Sequence, residues 1–91
     1  MQKLLFIHLF LFILFSVTAQ DLITAKEQKR LGIEYLSQGK TDSALIFLHE
    51  AESLGLLDGE LMGSLALAHL QNDEIVKSLK WAKKSVTDKV N

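Results

Sequence analysis

Few side chains in this sequence have the type and spacing for chemistry. His49 and His69 stand 20 residues apart, with no His-x3-His or Glu-x2-His pairing beside either and no Cys anywhere in the chain. A metal site needs convergent ligands and further groups that orient them. The spacing therefore assigns no metal ligand: His69 reads as a partly buried structural residue and His49 as a surface one. Glu50, Glu52, Asp58 and Glu60 form a loose acidic cluster. Paired carboxylates do acid–base work only in a cleft that shifts their pKa values. A convex helical surface offers no such cleft, so these four read as solvated. No phosphate loop, nucleophile elbow or Gly-rich turn is present. No catalytic, cofactor-binding or metal-binding residue is assigned, no cofactor is implied, and the chain reads as a non-enzyme. Lys77, Lys80, Lys83 and Lys84 flank Trp81. They would suit an acidic partner or an anionic lipid surface, but lysines at the end of a helix also complement its dipole, and the plainer reading is a solvated face. Trp81 and Phe47 read as packing residues.

The elements that would position these groups begin after a separate leader. Lys3 precedes Leu4 to Phe15, a run of twelve residues that is apolar except for His8, and Ser16-Val17-Thr18-Ala19 follows. A basic start, a short apolar stretch and small residues at a cleavage position describe a secretory signal. The expectation is a signal peptide over residues 1–19, cut after Ala19. The alternative is an uncleaved N-terminal membrane anchor, which normally needs about 20 apolar residues. Loss of Lys3 takes the net charge from −1 to about −2, which argues against a general polyanion binder. With no Cys there is no disulfide framework and no thiolate metal site. A domain of about 70 residues without such staples has a core worth only ~3–5 kcal/mol.

Residues 20–91 read as four amphipathic helices. Thr24 with Glu27 three residues on makes a capping box for the first. Gln28, Leu31, Gly32, Tyr35 and Leu36 share one of its faces, and Gly39 ends it. Thr41 or Asp42 caps the second, whose stripe is Ala44, Phe47, Leu48 and Ala51 and which stops at Gly55. So short a link makes the two helices antiparallel and touching, with Gly32 and Ala44 allowing close approach. Asp58 caps the third helix. Leu61 to Leu70 is its most apolar stretch, which suggests burial on more than one side. Asn72 or Asp73 caps the fourth, with Ile75, Leu79, Ala82 and Val86 on one face and Ser78, Trp81 and Ser85 extending it. Thr87 to Asn91 reads as a polar tail.

Leu31 to Leu54 recurs 34 residues later: Leu31 falls on Leu65, Leu36 on Leu70, Leu45 on Leu79, Phe47 on Trp81 and Ala51 on Ser85. A gapless period of this length marks a stacked repeat. The first unit, Leu31-Gly32-x2-Tyr35 with Ala44, Leu48 and Ala51, resembles the tetratricopeptide repeat (TPR), a helix–turn–helix unit of 34 residues. The second is looser, with Met62, Leu65, Ala66 and His69, then Ser78, Ala82 and Ser85; Gln28 stands where the family commonly has Trp, and the chain has no Pro.

The resemblance implies an all-α fold of two TPR-like repeats, about 25–58 and 59–91, in a short solenoid of four antiparallel helices forming one domain over 20–91. It implies a scaffold for protein–protein interaction with a partner-binding surface on the first helix of each pair. By register that surface holds Lys26, Lys29, Ile33, Leu36, Leu67, Leu70 and Gln71, and names no ligand beyond a protein or peptide. Lys29 fits the lysine of the family's carboxylate clamp, but Ile33 and Ser64 stand where Asn is wanted, so that mode is rejected. With the leader, the chain reads as an exported bacterial protein, periplasmic or secreted, with no nucleic-acid partner and with the membrane met only in transit. The alternative reading is the N-terminal sensory or docking part of a longer membrane signalling protein, a kinase or regulator. Arrays usually need three or more repeats and a polar closing helix, so Ile75, Leu79, Ala82 and Val86 are expected to seek cover, by self-association or by a partner.

Overall fold

In a computed structural model, residues 2–90 are described, those of 19–87 with their side chains. The chain is all-α. Four helices follow in order, α1 (Gln2–Ser37), α2 (Thr41–Ser53), α3 (Gly59–Gln71) and α4 (Ile75–Val90), with no strand among the described residues. The signal peptide expected over 1–19 falls almost wholly on residues whose side chains lie outside the description. Among residues 19–87, no helix is long and apolar enough to cross a membrane.

α1 packs against α2 and α3 against α4, while α3 also touches α2 and α1. The third helix is thus the central one, and Leu61 to Leu70 is the most apolar stretch after residue 19. Leu61, Leu65 and Ala68 are fully buried, and Met62 nearly so. It is covered by α2 on one side and α4 on the other, as expected, and one face stays open: Leu67 and Leu70 are about half exposed, at 47% and 53%. The core is completed by Ala25 and Leu36 of α1, Ala44, Leu48 and Ala51 of α2, and Trp81 of α4. Tyr35 and Phe47 stack face to face at its edge, with ring centroids 5.3 Å apart.

The close approach of α1 and α2 rests on Gly32. A Cβ there would lie 2.6 Å from Cγ and Cδ2 of the fully buried Leu48, and 3.2 Å from the Leu48 backbone nitrogen. Ala44, also fully buried, is the small residue on the facing helix. The α1–α2 turn and the α2–α3 link each carry a left-handed glycine, Gly39 at φ 76° and Gly55 at φ 97°. This is backbone that other residues enter at a cost of roughly 1–2 kcal/mol.

Three helix starts differ from expectation. α1 runs unbroken through Thr24, so the capping box with Glu27 has no free helix end to serve. Glu27 instead takes two hydrogen bonds from Arg30, at 2.6 and 3.1 Å. In α2 the N-cap position falls to Lys40, with no side-chain cap; Thr41 is already helical and donates across to Gln71 Oε1 at 2.9 Å. At α4, Asn72 instead closes α3 and Asp73 takes a positive φ of 60°. The first backbone bond of α4 runs from Ser78 N–H to the Glu74 carbonyl, so the start moves to Glu74. Tight Asn-Asp turns satisfy the end of one helix before they can cap the next. Finally, α4 continues to Val90, through most of the stretch expected as a tail.

Asp58 caps α3 as its position suggests. Its carboxylate accepts from Leu61 N–H at 2.7 Å and from Lys29 Nζ at 2.8 Å. Burial pushes its pKa up, but the Lys29 ammonium and the Leu61 amide more than offset this and hold the carboxyl below its ordinary value. Asp58→Ala is expected to cost about 1–2 kcal/mol, within the range for lost N-caps, or about 4–8 °C of Tm per kcal/mol in a domain this small. Asp58→Asn keeps an acceptor for the amide and loses only the half-exposed ion pair, so its cost should be under ~1 kcal/mol. Thermal melts of the two variants distinguish cap from charge; equal losses would refute the capping role.

Candidate functional site

Two surfaces result from this packing. The first is the side of α1 and α3 where the resemblance places a partner. Its members are not equally available. Leu36 is only 7% exposed and belongs to the core, so it is corrected from a surface contact to a packing residue. It faces inward because it continues the Gly32 face one turn on. Lys29 is also spoken for: its ammonium sits between Asp58 (2.8 Å) and Glu60 (3.0 Å), tying α1 to the start of α3. The hydrogen bond to Asp58 is the main reason its pKa is raised. Ile33 is half-buried against the core and Gln71 holds Thr41. Lys26, Leu67 and Leu70 remain exposed.

The second surface is α4. Here the helix packs by its small and polar stripe and exposes its apolar one. Ser78 Oγ donates to the Ala66 carbonyl at 2.7 Å, Ser85 Oγ to the Gly59 carbonyl at 3.4 Å, and Trp81 is buried between them. Serine is small enough for α4 to lie close on α3, and its hydroxyl finds a carbonyl in doing so. Ile75, Leu79 and Val86 then point outward at 60%, 57% and 62% exposure. Leu79, Ala82, Lys83, Val86 and Thr87 line a shallow hollow of about 400 Å³ on that side. Of the four lysines, Lys83 lines the hollow. Lys77 pairs with Glu74 at 2.8 Å, and Lys84 lies over the Trp81 ring, 4.8 Å from its centroid.

The acidic cluster does not converge. Asp58 and Glu60 hold Lys29, Glu52 turns to His49, and Glu50 is exposed. The histidines do converge, although their separation in sequence hides it. His49 Nε2 faces His69 Nε2 at 3.2 Å, and the rings meet at 60°. On the far side of each ring is a carboxylate: Glu52 Oε1 is 3.2 Å from His49 Nδ1, and Glu74 Oε1 is 3.0 Å from His69 Nδ1. The His69 side chain is buried, at 5% exposure, while that of His49 is open at 41%. Trp81 closes one side, its ring centroid 6.3 Å from that of His49. The repeat register does not foretell this meeting: it sets His69 on Tyr35 and Trp81 on Phe47, which would place His69 against α4, not against His49 of α2. Among the described residues no group of three or more His, Cys, Asp or Glu side chains is arranged to hold a metal ion.

Glu74 is the hub of the α3–α4 turn. Hydrogen bonds from Lys77 first, then Asn72 and His69, lower its pKa from 4.5 to about 2. A folded value below the unfolded one adds stability that is complete above the ordinary carboxylate pKa and is lost as pH falls through the folded value. Thermal melts should therefore show Glu74→Gln less stable than the parent at about pH 6, with the gap closing as the pH approaches about 2. A gap independent of pH would mean that charge plays no part in the turn.

Comparison with known proteins returns no match: no family model, curated protein or solved structure corresponds to the chain.

Proposed function

We propose that this chain is an exported TPR-like scaffold that acts by protein–protein contact, and that α4 is its contact helix. The observation that carries the reading is the inverted packing of α4, with Ser78 and Trp81 turned in and Ile75, Leu79 and Val86 turned out. Large apolar side chains in one row on an exposed helix mark an interaction surface, and a small core gains stability by burying another face. Support for the TPR-like reading comes from the helix pairing, the Gly32–Leu48 contact at the repeat's small position, and the central place of α3. Such a stack offers its open end to whatever stacks next. Within this reading the first occupant is a second copy of the chain, since a twofold contact of α4 on α4 covers both rows at once. The leader makes the site of action the periplasm or the cell exterior. No catalytic step is assigned.

Light scattering with size exclusion on the 91-residue chain in a mild detergent tests this. The expected result is a concentration-dependent dimer. A monomer at every concentration would assign the α4 face to a different occupant, either another protein or a further helical pair of a longer chain.

A further inference from the structure

A second hollow lies across α4 from the one beside Leu79 and Val86, and the two share Lys83 and Thr87 as a ridge. Leu57 of the α2–α3 link, Met62 of α3, and Lys83, Lys84 and Thr87 of α4 line it, around about 370 Å³. That volume is at the low end for small-ligand sites, which pair apolar walls with a few placed polar groups. Here the apolar part is Met62, which is buried, and Leu57, which is half exposed. Thr87 turns its hydroxyl to the Lys83 carbonyl at 2.8 Å, so the two ammonium groups are the polar side-chain groups left to a ligand. No acidic side chain lines the hollow, and residues 75–87 hold four lysines with no Asp or Glu. The helix dipole does not account for this pair of lysines. Its pull is confined to the last turn, and α4 runs on to Val90.

We propose that this hollow binds a medium-chain fatty acid as its carboxylate, with the hydrocarbon chain against Leu57 and Met62 and the carboxylate at the ammonium groups of Lys83 and Lys84. The complementarity is of both kinds. An apolar chain covers surface that water now meets, and an anion balances two like charges on adjacent residues. An apolar amine would be repelled by the same lysines, and an uncharged chain would leave them without a counter-charge. The space holds one short chain, which suits a free acid and not a two-chain lipid. The site lies apart from the Ile75–Leu79–Val86 row and does not depend on what covers that row.

The chain's single tryptophan reports on the site, because the Lys84 ammonium lies 4.8 Å from the centroid of the Trp81 ring. An anion that draws Lys84 toward itself changes the surroundings of that ring. The experiment titrates the full chain, in an uncharged maltoside detergent, with sodium octanoate, octylamine and octanol, following Trp81 fluorescence and heat. Partition into the micelle is common to the parent and its variants, so differences between them read the hollow. Octanoate is expected to bind saturably, one per chain, with a dissociation constant of about 1 mM or tighter, within reach of a ligand of roughly ten non-hydrogen atoms. Octanol should bind at least tenfold more weakly, and octylamine should show no saturable binding. Lys83→Glu with Lys84→Glu, read by heat, should weaken octanoate at least tenfold, and Leu57→Asp about tenfold. All three side chains are exposed, so the helical signal and Tm of these variants should stay close to the parent's. Leu79→Asp, which changes only the other hollow, should bind octanoate as the parent does. The proposal is overturned by absence of saturable octanoate binding up to about 10 mM, by octanol or octylamine binding equally well, by the double lysine variant binding as tightly as the parent, or by loss of binding in Leu79→Asp, which would move the site to the other hollow.

Discussion

Leu48→Ala is expected to abolish the cooperative unfolding transition of this domain. Leu48 is fully buried on α2, against Gly32 of α1. Truncating a buried leucine costs about 2–5 kcal/mol, the lost transfer energy plus the cavity. A core of this size supplies only ~3–5 kcal/mol in total, so the loss consumes most of it. Circular dichroism on heating should show a broad, early decline in place of a sigmoid. The partner substitution makes the test specific. Gly32→Ala alone puts a Cβ 2.6 Å from two Leu48 side-chain atoms. Overpacking of that kind costs about 1–3 kcal/mol, against a helix-propensity gain of about 1 kcal/mol. Combined with Leu48→Ala, the same methyl meets the space the leucine left. The double variant should therefore be more stable than the sum of the single effects by about 1 kcal/mol or more, within the range for residues in contact. Additive losses would mean that Gly32 and Leu48 do not share the helix crossing.

Leu79→Asp should dissolve the self-association proposed for α4 without unfolding the chain. Leu79 is 57% exposed between Ile75 and Val86, so the monomer loses little by the change. In a twofold interface the residue counts twice. Burying a leucine is worth about 1.5–3 kcal/mol, so two leucines contribute roughly 3–6 kcal/mol to the dimer, before the cost of placing two carboxylates at its centre. Sedimentation or light scattering should show the dissociation constant raised by about two orders of magnitude or more, 1.4 kcal/mol being tenfold, with the helical signal of the monomer unchanged. A dimer that survives the substitution intact would move the interface away from α4. A variant that unfolds would show Leu79 to be needed by the monomer, against its exposure.

Much of the helix-level design was legible because it is written in local spacing. The stripes at i, i+3, i+4 and i+7, the left-handed stops at Gly39 and Gly55, the Asp58 cap and the small pair Gly32 and Ala44 each depend on neighbours within a turn or two. The caps that failed did so for reasons further away. Thr24 looks like a helix start only if no helix precedes it, and in the full chain one does. Asn72 and Asp73 look like caps for α4, but the turn uses them to close α3 first. The inward side of α4 was also ambiguous in sequence. Apolarity favours the Ile75–Leu79–Val86 row, yet the serines and Trp81 are what fit against α3.

By itself the sequence determined an all-α chain of four helices, much of the apolar stripe of α2 and α3 and the glycine stops at Gly39 and Gly55. These follow from periodicity and backbone preference, which act over a few residues. The tertiary structure alone decided that Ser78, Trp81 and Ser85 are the side of α4 that meets α3, that Lys29 is held by Asp58 and Glu60, and that His49 and His69 meet with a carboxylate behind each. Those outcomes depend on how α3 lies between α2 and α4. That placement is set by side-chain volume and close approach across the helices, and no spacing along the chain records it.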